Sequence, residues 1–162
     1  MSGLYTGGCQ CGAIRYRVNG SLADPHICHC RMCQKAAGNY FMPFAGVQKS
    51  DLEITRGEIS WFFSSEPVRR GFCSNCGTPL AIDTVSSEHI HITLGSLDKP
   101  AEVRPVSVYG EEARMPWIAE ICAASGTATE SETGEERQLI AQIAATNRQH
   151  PDHDTNQWEE RQ

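Results

Sequence analysis

The sequence predicts a mainly β protein, built as a folded sheet of short strands and followed by one short C-terminal helix. Two observations predict this class. Short apolar segments that alternate with polar residues recur through the first two thirds of the chain, and turn-forming residues separate them. Beyond Gly126 the composition becomes polar and acidic. We therefore predict a β domain over residues 1–125 and a polar extension with one short helix over residues 126–162.

Residues 13–18 show the alternation most clearly. Ile14, Tyr16 and Val18 share one face, while the intervening arginines share the other. This pattern predicts a half-buried strand with both arginines on its exposed face. Further strands are predicted over residues 40–45, 52–55, 59–63, 68–73 and 89–94, the last with two histidines that we interpret as ordinary sheet residues.

Proline and glycine adjust this pattern of strands. Pro43 is expected to confine strand 40–45 to a sheet edge or a bulge, because proline lacks the amide donor that a central strand needs. Arg56-Gly57 indicates a hairpin turn between strands 52–55 and 59–63. Pro25 disfavours a helix that runs into residues 26–34.

The C-terminal helix is predicted from Thr133-Gly134-Glu135-Glu136, which fits a helix-capping box. The apolar residues that follow share one helical face: Leu139, Ile140, Ile143 and Ala144. We expect this helix to pack lightly on the domain, and the residues from about position 150 onward to be frayed.

Seven of the eight cysteines fall into three tight clusters, which form the strongest chemical signal in the chain. The clusters are Cys9/Cys11, Cys28/Cys30/Cys33 and Cys73/Cys76. Thiolates are the soft ligands that hold zinc, and these short spacings suit a shared ion better than disulfides, which are the alternative interpretation. The eighth cysteine, Cys122, lies in an apolar run and is expected to be a buried free thiol.

Seven thiols exceed what one tetrahedral zinc needs, so the clusters predict two zinc ions per chain. The two outer pairs together provide four ligands, which would close a structural site across about sixty residues of chain. The central cluster provides three ligands and leaves a fourth position open, as catalytic zinc sites do. Alternatively, both sites are structural, with His29 or His26 as the fourth ligand of the second.

Charge and hydropathy exclude several classes of function. The formal net charge of −6 argues against a nucleic-acid partner, whose phosphates attract basic proteins. The N-terminal residues lack the apolar run of a signal peptide, and no stretch of about 18 apolar residues occurs. We therefore expect a cytoplasmic protein without a membrane partner, in a compartment that keeps thiols reduced. The sequence makes no prediction of oligomeric state.

Three ordered segments carry a family signature. They are GGCQCGAIRY at residues 7–16, CHCRMCQK at residues 28–35 and FCSNCGTPL at residues 72–80. Together they resemble the glutathione-dependent formaldehyde-activating enzyme family, also called the centromere-protein-V family. Arg114-Met115-Pro116-Trp117 is similar to a later Arg-x-Pro-Trp element of the family, although the histidine that often precedes that element is absent here.

The resemblance implies a zinc-bearing folded sheet, sometimes called a β-tent, and an enzyme that joins formaldehyde to glutathione as S-hydroxymethylglutathione. By motif, the outer four cysteines resemble the family's structural zinc ligands, and Cys28, Cys30 and Cys33 resemble its catalytic ones. We therefore predict a zinc-dependent carbon–sulfur lyase with a small-molecule thiol and a small aldehyde as its partners. The alternative is a non-catalytic zinc module that binds a protein or a thiol ligand.

Groups near the open position are also candidates. We expect Arg31, Lys35 or the amides around Gly38 to offset the negative charge of three thiolates, and His29 to orient a substrate or remain solvated. A rim of aromatic side chains would indicate a small-molecule pocket, although most of the candidates should belong to the core: Tyr40, Phe41, Phe44, Trp61, Phe62 and Phe63.

Overall fold

The structure is a computed structural model that describes residues 3–156, and β-strands dominate this range. The strands are β1 (Gly3–Gly8), β2 (Arg15–Gly20), β3 (Ala23–Cys28), β4 (Met42–Gln48), β5 (Leu52–Arg56), β6 (Ser60–Phe63), β7 (Val68–Phe72), β8 (Pro79–Thr84), β9 (His89–Thr93) and β10 (Ser107–Tyr109). The α-helices are α1 (Arg31–Ala37), α2 (Ile118–Ala123) and α3 (Gly134–Thr146). The predicted fold class, mainly β with a short C-terminal helix, is confirmed.

The strands form two sheets. A three-stranded sheet has the order β1-β2-β5, and a seven-stranded sheet has the order β10-β3-β4-β9-β8-β7-β6. All neighbouring strands are antiparallel except β10, which runs parallel to β3. Because β5 and β6 belong to different sheets, the hairpin predicted around Arg56-Gly57 is wrong. Gly57 instead carries the chain between the sheets with a φ of +69°, where a Cβ atom would overlap the Ala13 carbonyl.

One apolar core joins the two sheets. Tyr16 and Val18 of β2 are buried against Val47 of β4 and Ile92 of β9, so the predicted inward face of residues 13–18 is confirmed. Arg17 lies on the outer face as expected, with a side chain 42% exposed. Arg15, two positions earlier, does not lie on the outer face.

Arg15 is buried, against the prediction. Its guanidinium donates to both carboxylate oxygens of Asp98, at 2.8 and 2.5 Å, and to Asp154 at 2.8 Å. The Asp98 carboxylate also accepts a hydrogen bond from the Thr6 hydroxyl at 2.5 Å. A buried arginine is tolerated when its charge is paired and its donors are satisfied. The long-range partner Asp98 therefore explains why this position departs from simple alternation.

Pro43 lies in a central strand, so its confinement to a sheet edge is wrong. The predicted alternative was a bulge, and the β3–β4 pairing does shift register between Ala23 and His26. β4 pairs with β3 on one side and with β9 on the other. The pairing with β9 begins only at Phe44, one residue after the proline. Pro43 therefore sits at the end of that ladder, where its missing amide donor breaks no pairing with β9.

The region after residue 126 contains the predicted helix, α3, whose N-cap is Thr133. No capping side-chain hydrogen bond forms there, and none of the helix residues is buried. Leu139 and Ile143 are 50% and 57% exposed, so the helix packs even more lightly than expected. The division into residues 1–125 and 126–162 stays a prediction.

The segment that follows α3 returns to the β domain. The His150 amide donates to the Gln10 carbonyl at 2.7 Å, and Arg56 donates to the carbonyl of Thr155. Together with the Arg15–Asp154 pair, these bonds fasten residues 150–155, so the fraying expected there is wrong. The rest of that prediction concerns residues 157–162, which lie outside the described part of the chain. None of the helices in the described part is long and apolar enough to cross a membrane.

Candidate metal centres

The outer two cysteine pairs meet in space. The turn between β1 and β2 supplies Cys9 and Cys11, and the turn between β7 and β8 supplies Cys73 and Cys76. Their four sulfur atoms lie within 4.8 Å of one another, with Cys9–Cys11 at 3.6 Å and Cys11–Cys73 at 3.9 Å. A tetrahedral site with metal–sulfur bonds of about 2.3 Å places its sulfurs about 3.8 Å apart. The group therefore has the dimensions of a four-thiolate metal site.

Each turn is shaped by its own backbone and by contacts between the turns. Gly12 and Gly77 both have φ values near the left-handed helical region, at +78° and +76°, which lets the chain double back next to the sulfurs. The Ile14 amide donates to Cys9 Sγ at 3.2 Å. Thr78 Oγ1 accepts from the Gln10 amide at 3.0 Å and lies 3.2 Å from Cys76 Sγ. Because the hydroxyl oxygen already accepts, its proton is free to be donated to the sulfur.

The electrostatics of this group favour a bound cation. Burial raises the pKa of the Cys9 thiol far above its usual range, and the neighbouring sulfurs of Cys73 and Cys11 raise it further. Burial also acts on Cys76, but hydrogen bonds from Thr78 outweigh it and lower its pKa to about 6. Four crowded thiols ionise together only when a positive charge lies among them.

The central cluster forms a second group at the junction of β3 and α1. Cys28 ends β3, Cys30 is the N-cap of α1 and Cys33 lies in its first turn. Their three sulfur atoms are within 4.8 Å of one another. Gln34 stabilises this junction, because its buried side-chain amide donates to the carbonyls of His29 at 2.7 Å and Ala113 at 2.8 Å. Two cysteine clusters could thus hold metal ions.

The three thiols of this second group differ in their surroundings. Burial raises the pKa of Cys28 to about 12. At Cys30 burial is outweighed by the backbone amides of Cys33 and Met32 at the start of α1, which lower its pKa. At Cys33 burial dominates and raises the pKa, although the Arg70 guanidinium, 3.6 Å from the sulfur, opposes this. The arrangement provides a donor to the ionised form of each sulfur: the Cys30 amide at Cys28, the amides of α1 at Cys30 and Arg70 at Cys33.

The open side of the three-cysteine group faces a cleft of about 510 Å³. All three cysteines line it. Its apolar wall consists of Met32, Phe44, Val68, Ile82, Val108 and Tyr109. Its polar wall consists of Asp24, His26, Ser64, Ser65, Arg70, Thr84, His91 and Ser107. A cleft of this size next to an incomplete ligand set is a place for a small molecule.

Several groups expected near the open position lie elsewhere. His29 is buried, with its ring against Phe41 and Nδ1 3.4 Å from the Tyr40 carbonyl, so it is neither solvated nor in the cleft. Neither its ring nitrogens nor those of His26 belong to the three-sulfur group. The interpretation of the second site as closed by a histidine therefore finds no support in this geometry.

Arg31, Lys35 and Gly38 are not among the residues that line the cleft. Arg31 donates to the Gln34 side chain at 3.0 Å, and the Gly38 amide donates to the Lys35 carbonyl at 3.3 Å. Arg70 of β7 takes their place. The sequence predicts only a strand at Arg70, and its one local indication of a further role is a basic residue two positions before Phe72-Cys73.

The expectation that most of the aromatic candidates belong to the core is wrong, because three of the six are exposed: Tyr40, Phe62 and Phe63. Of the six aromatic candidates only Phe44 lines the cleft, and it is joined there by Tyr109, which the sequence did not suggest. His91, interpreted as an ordinary sheet residue, also lines the cleft. Cys122 is exposed on α2, so its predicted burial is wrong.

Comparison with known proteins gives this geometry a family. Residues 4–112 match the family model described as "Glutathione-dependent formaldehyde-activating enzyme", and this range includes all seven clustered cysteines. The chain belongs to that family. The resemblance that the three sequence motifs indicated is therefore confirmed.

Two curated relatives of this formaldehyde-activating family match at modest identity. An uncharacterized lyase of Schizosaccharomyces pombe is 33% identical over 78 residues, which cover 47% of this chain and 55% of the relative. A Halomonas elongata protein, named as a proposed glutathione-dependent formaldehyde-activating enzyme, is 29% identical over 116 residues, which cover 65% of this chain and 73% of the relative. The chain thus spans little more than half the length of the S. pombe protein.

A solved structure shares the fold of this family member. The crystal structure of a Rhodobacter sphaeroides protein superposes with a TM-score of 0.52 at 24% identity and covers 64% of this chain and 98% of that one. At this identity the likeness concerns the fold alone. It supports the mainly β architecture described above.

Proposed function

We propose that this chain makes or breaks the carbon–sulfur bond between a thiol and a small aldehyde, as in S-hydroxymethylglutathione, and so acts as a carbon–sulfur lyase. The observation that carries the proposal is the three-sulfur group of Cys28, Cys30 and Cys33, whose remaining side faces a cleft of about 510 Å³. The family and the names of its relatives support the same reaction class.

Zinc is the metal that we propose for both groups. Thiolate sets of three or four favour zinc among the common divalent ions, and sulfur spacings of 3.6 and 3.9 Å match its tetrahedral geometry. The four-sulfur group, complete in itself, is assigned a structural role. At the three-sulfur group a zinc ion would offer its fourth position to a thiol and keep that thiol ionised at neutral pH. We place the reaction in the cytoplasm, because a reducing compartment keeps all eight cysteines free, as they are in the structure.

Arg70 has two tasks in this proposal. One of its N–H groups lies 3.6 Å from Cys33 Sγ, and its guanidinium lines the cleft. Among the described residues, no carboxylate forms an ion pair with it. Its positive charge therefore offsets the single negative charge that three thiolates and a divalent ion would leave. Its remaining donors can hold the aldehyde oxygen where negative charge develops.

The bond-forming step balances without any redox partner. The substrate thiol gives its proton to solvent, and a sulfur electron pair forms the bond to the aldehyde carbon. The carbon–oxygen π pair moves to the oxygen, which faces Arg70 and then takes a proton from water in the open cleft. The lyase direction is the reverse, with the oxygen losing its proton as the carbon–sulfur bond breaks. In both directions Arg70 stabilises the charged oxygen.

The test is the rate of exchange between free and adduct forms of a thiol with formaldehyde, followed by NMR. A panel of thiols that includes glutathione is used, and the appreciable uncatalysed rate is subtracted. Wild type should exceed the background, whereas Cys30→Ser should not. Cys122→Ser is the matched control, because it makes the same change at an exposed cysteine outside both groups. The proposal fails if wild type stays at background with every thiol, and thiol binding without exchange would then indicate a non-catalytic zinc module.

A further inference from the structure

The charge of the cleft points to the kind of thiol that it accepts. Among residues 3–156, Arg70 is the one lysine or arginine side chain in the lining, and Asp24 is the one carboxylate. The rest of the polar wall consists of hydroxyl groups and the two histidines. A ligand that enters with carboxylates would therefore need Arg70 as its partner.

Arg70 is already committed to the cysteine group. Its guanidinium lies 3.6 Å from Cys33 Sγ. Three thiolates with a divalent ion would carry one net negative charge, which Arg70 would offset. Arg70 would therefore be shared between the sulfur group and the reacting oxygen, and among residues 3–156 the lining holds no second lysine or arginine to attract an anionic substrate.

Asp24 makes the outer part of the cleft negative. It is a non-glycine residue in the described range with a positive φ, at +42°, a conformation uncommon for any side chain. Its carbonyl lies 2.8 Å from His26 Nδ1, and its Oδ1 accepts from the Ser107 hydroxyl at 3.2 Å. These contacts hold an exposed carboxylate, 72% accessible, in the lining of the cleft.

Glutathione is poorly matched to these surroundings. It carries two carboxylates and one ammonium group, and the protein it approaches has a formal net charge of −6. Within the cleft it would meet one committed guanidinium, one carboxylate and an apolar wall. A thiol without free carboxylates avoids the repulsion, and one with an ammonium group gains Asp24 as a partner.

We propose that the cleft selects a thiol whose recognised part is neutral or cationic, in preference to a thiol with two carboxylates. The inference rests on the proposed function, because it concerns the substrate of the same cleft. The preferred thiol of this chain would then differ from the glutathione named in the family description. The reasons are the Asp24 carboxylate and the shortage of basic residues in the cleft lining.

The experiment compares glutathione with its diethyl ester, which keeps the peptide skeleton and removes both carboxylate charges. Binding to the metal-loaded full chain is measured by calorimetry, and exchange with formaldehyde is measured by NMR. A charge pair at about 4 Å in water contributes about a fivefold change in affinity, so the ester should bind at least about fivefold more tightly. Asp24→Asn should reduce this ratio.

A second pair of variants tests the shortage of positive charge. Ser65→Lys adds a cation at an exposed residue of the lining and should improve glutathione binding relative to the ester. Ser50→Lys makes the same change at an exposed serine outside the lining and should leave the ratio unchanged.

The outcomes separate this inference from the proposed function. Equal or tighter binding of glutathione overturns the charge selection, as does the absence of binding by either thiol. Preferential binding of the ester without any exchange refutes the reaction and leaves the charge selection standing. Exchange that is faster with glutathione supports the reaction and overturns the charge selection.

Discussion

The ion pair between Arg15 and Asp98 should contribute most of the stability gained from the charged groups around the β1–β2 turn. The two side chains are only 4% and 7% exposed, and two hydrogen bonds of 2.8 and 2.5 Å join them. Removing one partner of a buried pair costs about 3–5 kcal/mol, because the other charge stays buried. Asp98→Asn keeps one acceptor oxygen and leaves Asp154 in place, so we expect about 3 kcal/mol.

Asp154→Asn is the matched comparison, because it makes the same change on the same arginine. The Asp154 carboxylate is 49% exposed, and an exposed ion pair contributes at most about 1 kcal/mol. Urea unfolding of the metal-loaded protein, followed by circular dichroism, gives both free energies. Equal effects of the two substitutions would show that burial does not set the strength of this pair, and would refute the reasoning.

The free energy that Asp98 contributes to the stability of the fold should decrease as the pH falls into the acid range. Burial alone would raise its pKa, but the hydrogen bonds from Arg15 and Thr6 outweigh burial and lower it. A carboxyl with a lowered folded pKa stabilises the fold above its unfolded pKa of about 3.9 and loses that contribution as the pH falls below it. The stability difference between wild type and Asp98→Asn should thus be constant from about pH 5 to pH 8 and shrink below about pH 4. A difference that grew on acidification would contradict the assignment.

Three further predictions concern the metal groups. Metal analysis of protein purified without chelator should find two zinc ions per chain, and a single zinc or disulfides on non-reducing mass analysis would count against two sites. Cys76→Ser should unfold or aggregate the protein, because the free energy of metal binding at that site also stabilises the fold. Cys30→Ser should keep most of the fold. A Cys76→Ser protein with wild-type thermal stability would contradict the structural role. Arg70→Gln should lower the exchange rate about 10²-fold or more at saturating thiol, as loss of an oxyanion donor does, and Arg70→Lys should restore part of that rate.

Local patterns in the sequence were sufficient for much of the architecture. The period of two in residues 13–18 predicted which side chains of β2 are buried, because one face of a strand has to meet the core. The cysteines predicted both sulfur groups, because seven thiols divide into one set of four and one set of three when a tetrahedral site takes four. α3 was predicted from its apolar period, although its capping side chains make no hydrogen bond.

Apart from the two outer cysteine pairs, the sequence did not indicate which residues far apart along the chain are partners. Arg15 is buried because Asp98, 83 positions away, neutralises it, and no local pattern contains that information. The Arg56-Gly57 turn has the composition of a hairpin, but β5 and β6 find their partners in different sheets. Arg70 reaches Cys33 across 37 positions of sequence, so no local pattern could indicate this contact.

The two sulfur groups differ in how much of the chain must exist before they can form. Cys28, Cys30 and Cys33 are consecutive neighbours, so a nascent chain could gather them almost as soon as they leave the ribosome. Cys11 and Cys73 are 62 positions apart, and at about 5–20 residues per second the first pair waits several seconds for the second. During that interval Cys9 and Cys11 are exposed to oxidants and to competing metals. With zinc as the proposed metal, we therefore expect the zinc supply during translation to affect the yield of correctly folded chains.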